Sequence, residues 1–276
     1  MSDIFAYTFM QNAFIAGILI SIVLGLISFF VIIRQLSFIG VGISHSAFAG
    51  VAIGFLFGID PTWSAVVFAL IIANAIGSVA RSGKLKTDTA IGIFFSFTMA
   101  LGVILIGISK QYNVDLFGYL FGNILAITSG NLVLIALCGT VIIFSVAAFF
   151  KEIIFSSFDE ELARASGLPV VFLDHLILSL LALSVVICIK VVGILLAEAL
   201  LVIPAAAASQ ISKRYVTMIP VSIAVALVSS ISGLLVSYKE DLPSGATIVT
   251  AAIVIFFVLM VAGRIRRKIG IRNKAI

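Results

Sequence analysis

Two side chains in this sequence could do chemistry where ionisable groups are expensive. His45 sits within Gln35–Ile59, a stretch with no Asp, Glu, Lys or Arg, and Glu198 is the lone charge of Gly193–Ile211. An imidazole or carboxylate at membrane depth costs free energy unless it faces a partner, a polar path or a ligand. Both residue types bind cations, so the pair reads as cation ligands or a gate. The plainer alternatives are a core histidine bonded across helices and a glutamate that is protonated or paired with Lys190. Gly40, Gly42, Ser44, Ser46 and Gly50 surround His45 with small residues, which lets a neighbouring backbone approach or the helix break locally.

The elements that must position these groups are membrane spans. Of 276 residues, 62% are hydrophobic and 11% charged, against roughly a quarter charged in soluble domains. Uncharged runs of the required ~20 residues occur at Ala13–Ile33, Gln35–Ile59, Pro61–Ala80, Thr89–Ser109, Leu116–Phe150, Tyr215–Tyr238 and Leu242–Gly263. The run from Leu116 exceeds one span and reads as a re-entrant or interfacial helix over Leu116–Thr128, then a span from Asn131. Leu176–Ile189 and Gly193–Ile211 add two less clean spans. The expectation is an all-α polytopic protein of about eight to nine spans in a single domain, residues 1–276. Continuous rather than alternating hydrophobicity excludes a transmembrane barrel.

Basic residues orient it. In a nine-span arrangement fourteen of the 17 Lys and Arg share one side, among them Arg34, Arg81, Lys151, Arg164 and the basic tail 264–276, and three (Lys110, Lys190, Lys239) face the other. That bias places the C-terminus in the cytoplasm and the N-terminus outside. Beside a span, the tail reads as a topology determinant near anionic lipid, with no nucleic acid partner. The first residues lack a basic region and cleavage site, so no cleaved signal peptide is expected. Cys138 and Cys188 fall inside spans and read as small buried apolar residues.

The longest connection on the basic side is KEIIFSSFDEELARASGLP. Ser157 or Asp159 reads as a helix cap, acids fill the first turn, and Gly167 with Pro169 stops a helix of roughly two or three turns. The expected element is residues 157–168, a short charged helix offered to a cytoplasmic partner or a solvated connector. His175 beside Asp174 reads as interfacial, Asp88 as an N-cap, and Asn74 as a polar group satisfied by one interhelical bond.

Six stretches in order resemble one family: RQLSFIGVGISHSAFAGVAIG, TDTAIGI, DLFGYLFGNILAIT, FDEELARASGLP, VGILLAEALLVIPAAAA and DLPSGATIVT. They are similar to the membrane-spanning permeases of ATP-binding-cassette importers for zinc and manganese. The resemblance implies the fold of the vitamin-B12 and siderophore importers, a homodimer around one central pathway in the bacterial plasma membrane. It implies alternating access for a divalent metal, zinc first, with manganese or iron possible. It also implies cytoplasmic ATPase partners that hold ATP and Mg, and an extracytoplasmic metal-binding protein facing Tyr238–Gly245. Phe158, Asp159, Glu160, Glu161, Ala163 and Gly167 become the positions that meet the ATPase, while His45 and Glu198 line the pathway. The chain itself binds no cofactor and is no enzyme; it contains no GxxxxGK[ST] phosphate loop.

Two positions depart from the pattern, and one is Glu198, where relatives usually have a small or aliphatic residue. Many relatives carry an aspartate four residues before the histidine, on the same helix face, and this chain has Val41. The expectation is that Glu198 supplies the missing carboxylate from another helix. The rival reading is a proton-driven secondary transporter with His45 and Glu198 as relay, and the lack of a repeat between the halves speaks against it. An intramembrane enzyme would need an HExxH or paired aspartates within the spans, and neither occurs.

Overall fold

The computed structural model describes residues 7–83, 85–109 and 127–272, and every regular element among them is a helix. In chain order these are α1 (Thr8–Ile33), α2 (Ile39–Phe57), α3 (Pro61–Arg81), α4 (Thr87–Ser109), α5 (Ser129–Ala148), α6 (Phe150–Phe158), α7 (Glu160–Ala165), α8 (Val170–Val192), α9 (Ile194–Ile211), α10 (Tyr215–Glu240) and α11 (Ser244–Arg272). Among the described residues, nine helices each hold a stretch of 18 to 26 residues long and apolar enough to cross a membrane. At ~1.5 Å per residue the shortest, α9, covers ~27 Å.

Local chemistry sets the ends. Gly58 closes α2 in the left-handed region, and Asp60 opens α3 by accepting from the Thr62 and Trp63 amides, with Pro61 at the first helical position. Thr128 caps α5 through the Asn131 amide, so that span starts at Ser129 rather than Asn131. Asp88 lies inside the first turn of α4 rather than at its cap, where its charge still favours the helix N-terminus. The expected helix over Leu116–Thr128 lies, apart from its last two residues, outside the described residues. The tail is helical as far as Arg272.

Two groups of helices pack around α8. One is α2 with α3 and α4; the other is α1 with α9, α10 and α11; α8 touches α1, α2, α3, α5 and α9. On α5, Val133, Leu137, Val141 and Phe144 are exposed while Ile135, Gly139, Ile142 and Val146 are buried. That division gives an outward face and an inward face on a helix that is apolar all round. Lipid is as apolar as leucine, so burial alone does not hold such faces together.

Close contact and hydroxyl bonds replace it. Ser21 lies 2.6 Å from Ser230, and Ser222 donates to the Gly25 carbonyl at 2.7 Å, joining α1 to α10. At the α2–α3 crossing Ser64 donates to the Gly50 carbonyl, and a β-carbon on Gly50 would sit 2.7 Å from Ala65 Cα. Pro204 interrupts the ladder of α9. Ser28 of α1 repairs it by accepting from the Ala205 amide at 3.1 Å and facing the Val202 carbonyl.

Gly50→Val should therefore overpack the α2–α3 crossing and cost about 1–3 kcal/mol. Gly92→Ala, with nothing within 4 Å of the added carbon, should be neutral or stabilising by up to ~1 kcal/mol. Thermal loss of the monodisperse peak in detergent compares the two.

Candidate functional site

His45 stands on α2 and Glu198 on the fifth position of α9, and the fold brings them together. The nearest approach, His45 Nδ1 to Glu198 Oε1, is 3.9 Å. That is an electrostatic distance, too long for a hydrogen bond. The link between them is Ser44, whose hydroxyl is 2.5 Å from Glu198 Oε1 and 3.3 Å from His45 Nδ1. A serine has one proton to give, and the shorter contact assigns it to the carboxylate.

The ring of His45 is held from behind. Its Nδ1 is 2.9 Å from the carbonyl of Val41. A carbonyl only accepts, so Nδ1 carries the hydrogen and a neutral ring keeps its lone pair on Nε2. Metal-binding histidines are oriented in this way, with one nitrogen anchored by backbone or carboxylate and the other available. Phe95 of α4 packs edge-on against the imidazole with centroids 4.7 Å apart. Position 41, valine in side chain, thus still serves the histidine through its backbone.

Glu198 gains its place from the joint before it. Gly193 has φ +84° and ends α8 and begins α9 in a single residue, a conformation that favours glycine. The His45 and Glu198 side chains are 20% and 28% accessible, so a small cation could reach both. Among the described residues no group of three or more His, Cys, Asp and Glu could hold a metal. One chain therefore offers two strong donors, with the Ser44 hydroxyl beside them.

The second site is the connection between α5 and α8. The expected single helix is broken: α6 runs through Phe158, and α7 starts after Asp159, whose carboxylate caps it by accepting from the Leu162 amide at 2.9 Å. Asp159 is extended, with φ −148°, and that break shortens α7 to six residues. Ser157 is not a cap; its hydroxyl turns back to the Ile153 carbonyl and meets Arg34. Gly167, at φ +81°, ends α7 with Leu168 N–H bonded to the Ala163 carbonyl and Gly167 N–H to that of Arg164, the paired closure expected of a glycine stop. Phe158, Asp159, Glu160, Glu161 and Gly167 are exposed, whereas Ala163 is fully buried. Ala163 therefore anchors α7 to its own chain and does not face outward.

Beside α7 lies a cleft of about 540 Å³ lined by Arg34, Arg81, Glu160, Arg164, Asp174 and His175 among others. Asp174 of α8 is ion-paired with both Arg34 and Arg81. Arg34 also donates to Ser156 and Ser157 of α6, and Arg81 to Glu160 of α7 at 3.2 Å. Burial pulls the Arg34 guanidinium down to about 10, with Glu160 opposing that shift and Arg81 reinforcing it, which leaves it charged at neutral pH. His175 sits 2.8 Å from Asn74 Oδ1, and Asn74 donates onward to Ser179 at 3.0 Å. Sequence reasoning reads Arg34 and Arg81 only as topology markers. The signal available was opposite charge at span ends on one side, without an indication of which ends meet.

Residues 6–263 match the ABC 3 transport family, and the chain belongs to that family. It is 40% identical to the manganese transport system membrane protein MntC of Listeria monocytogenes over 94% of this chain and 92% of that protein. It is 38% identical to the manganese import system permease protein ScaB of Streptococcus gordonii, over 91% of this chain and 90% of the other. Among solved structures, PsaBC from Streptococcus pneumoniae in complex with Fab superposes with a TM-score of 0.81 at 38% identity, covering 92% of this chain and 91% of that one. A metal-chelate type ABC transporter solved in an inward-facing conformation shares the fold, with a TM-score of 0.71 at 15% identity. These relatives bear out the resemblance and the fold. They lend no support to zinc as first cargo, and family membership does not favour a proton-driven secondary transporter.

A six-residue helix is far below the length that is stable alone, so α7 depends on its cap. Asp159→Ala should cost about 1 kcal/mol locally, read as roughly fivefold faster amide exchange over Glu160–Ala165 with the spans unchanged.

Proposed function

We propose that this ABC 3 family member is the membrane subunit of an ATP-driven importer whose cargo is manganese. His45 and Glu198 form one half of the cargo's path. The observation that carries the proposal is their convergence from two helix groups, α2 and α9, in a chain whose relatives are named for manganese transport. Imidazole plus carboxylate accepts manganese, zinc or iron(II), and oxygen donors suit manganese well. Two donors from one chain suit a transit site, where a bound ion must also leave.

The remaining parts follow from that role. The basic ends of α1, α3 and α11 face the cytoplasm by the positive-inside rule, which puts α7 there too. Phe158, Asp159, Glu160, Glu161 and Gly167 then present the surface that meets a partner ATPase, which holds ATP and Mg, with Ala163 as its internal anchor. The turn after α10, with Glu240 and Asp241 exposed, faces the extracytoplasmic binding protein. A second copy of this chain across the path would bring a second His45 and Glu198 to the ion. ATP-driven closure of the partners tilts the two halves and opens the path alternately to each side.

In a strain lacking its own importers, this chain with its ATPase and binding protein should restore uptake of radiolabelled manganese, with excess manganese competing better than zinc. His45→Ala and Glu198→Gln should each lower uptake at least tenfold. Val41→Asp in the Glu198→Gln background should recover part of it, because a carboxylate returns to the face of His45. Wild-type uptake in both single variants would remove the pair from the path.

A further inference from the structure

The cleft beside α7 holds more charge than topology requires. Its groups form an unbroken chain across four helices and the end of a fifth. Glu160 on α7 pairs with Arg81 at the end of α3, Arg81 pairs with Asp174 on α8, and Asp174 pairs with Arg34 just after α1. Arg34 closes the set on Ser156 and Ser157 of α6. Side-chain accessibility falls along the chain, from 50% at Glu160 through 24% and 23% at Arg81 and Asp174 to 11% at Arg34. The outer end is therefore wet, with Glu160 tied to its own helix by Arg164 at 2.8 Å so that it moves with α7, and the inner end is fixed in protein. Arginine suits the positions of Arg81 and Arg34, since its planar fork can hold two acceptors at once.

What the chain of charges touches gives it a use. α3 packs along α2, which carries His45, α1 packs against α9, which carries Glu198, and α8 touches both α2 and α9. A displacement of α7 that reaches Arg81 thus reaches the histidine side of the path, and one that passes through Asp174 to Arg34 reaches the glutamate side. We infer that Arg81, Asp174 and Arg34 form a charged linkage that transmits movement of α7 to both halves of the His45–Glu198 pair, making Arg81 and Asp174 positioning residues for coupled transport. The inference rests on the reading that α7 meets the ATPase. A mere staple between helix ends would hold the bundle together without setting how much metal moves per ATP.

That ratio is the measurement. The complete complex, reconstituted in liposomes with its binding protein, is assayed for manganese imported per ATP hydrolysed in wild type, Arg81→Gln and Asp174→Asn. Phe158→Ala and Glu161→Lys on the exposed face of α7 run alongside. The expected result is assembled complex that still hydrolyses ATP in both linkage variants, with the ratio at least tenfold lower. An unchanged ratio in Arg81→Gln overturns the linkage, including the case where less complex assembles but what assembles transports normally. Asp174→Asn can strand two arginines and fail to assemble, and Arg81→Gln then decides alone. If the α7 variants lose coupling while the linkage variants keep it, only this inference fails. If all four keep wild-type coupling, the role given to α7 fails with it.

Discussion

An ionisable side chain at membrane depth must find a partner, and this constraint organises the molecule. Water cannot solvate such a group between apolar helices, so its cost is met by convergence. His45 is held by a backbone carbonyl and faces Glu198 through Ser44. At one end of the bundle, Asp174 near the start of α8 is paired with Arg81 at the end of α3 and Arg34 just after α1. Neither group could occupy its position if the helices bearing its partners were elsewhere. The polar residues thus fix which helices are neighbours, which uniformly apolar spans cannot do.

The same shortage of water changes what holds the spans together. Apolar faces gain little by leaving lipid for protein, so contact distance and hydrogen bonding decide packing. Serines on α1 and α10 bond across their crossing, and glycine on α2 lets α3 approach to backbone contact. The proline break in α9 is tolerated because Ser28 supplies the hydroxyl that its ladder lacks. Among the described residues, no buried side-chain polar atom is left without a partner. Precision in this bundle comes from small and hydroxylated residues.

That precision separates two tasks along the spans. At depth, one imidazole and one carboxylate meet at the boundary between two helix groups, a place that relative motion of the groups would open or close. At one end, a charged cluster ties those same groups to a helix too short to stand alone. The proposed cargo site is sparse, which suits an ion that must pass. The end cluster is dense, which suits parts that must move together. The side chains account for how these two places are linked to the same helix groups.

Much of this was legible beforehand because hydrophobic length is a one-dimensional property. The spans, the lone His45 and Glu198, the glycine stop at Gly167 and the importer-permease family can all be read along the chain. Helix limits in the connection were less legible: Asp159 and Ser157 are both plausible caps, and only the path of the backbone selects Asp159. Ala163 lies among exposed neighbours and is itself buried, a distinction that a six-residue helix carries no periodicity to reveal. By itself the sequence determined which segments are long and apolar enough to cross and which groups would be costly there. Only the tertiary structure decided that Glu198 meets His45 through Ser44, and that Asp174 takes both Arg34 and Arg81. Those partners are 154, 140 and 93 residues apart by their numbering, and no local rule spans such separations.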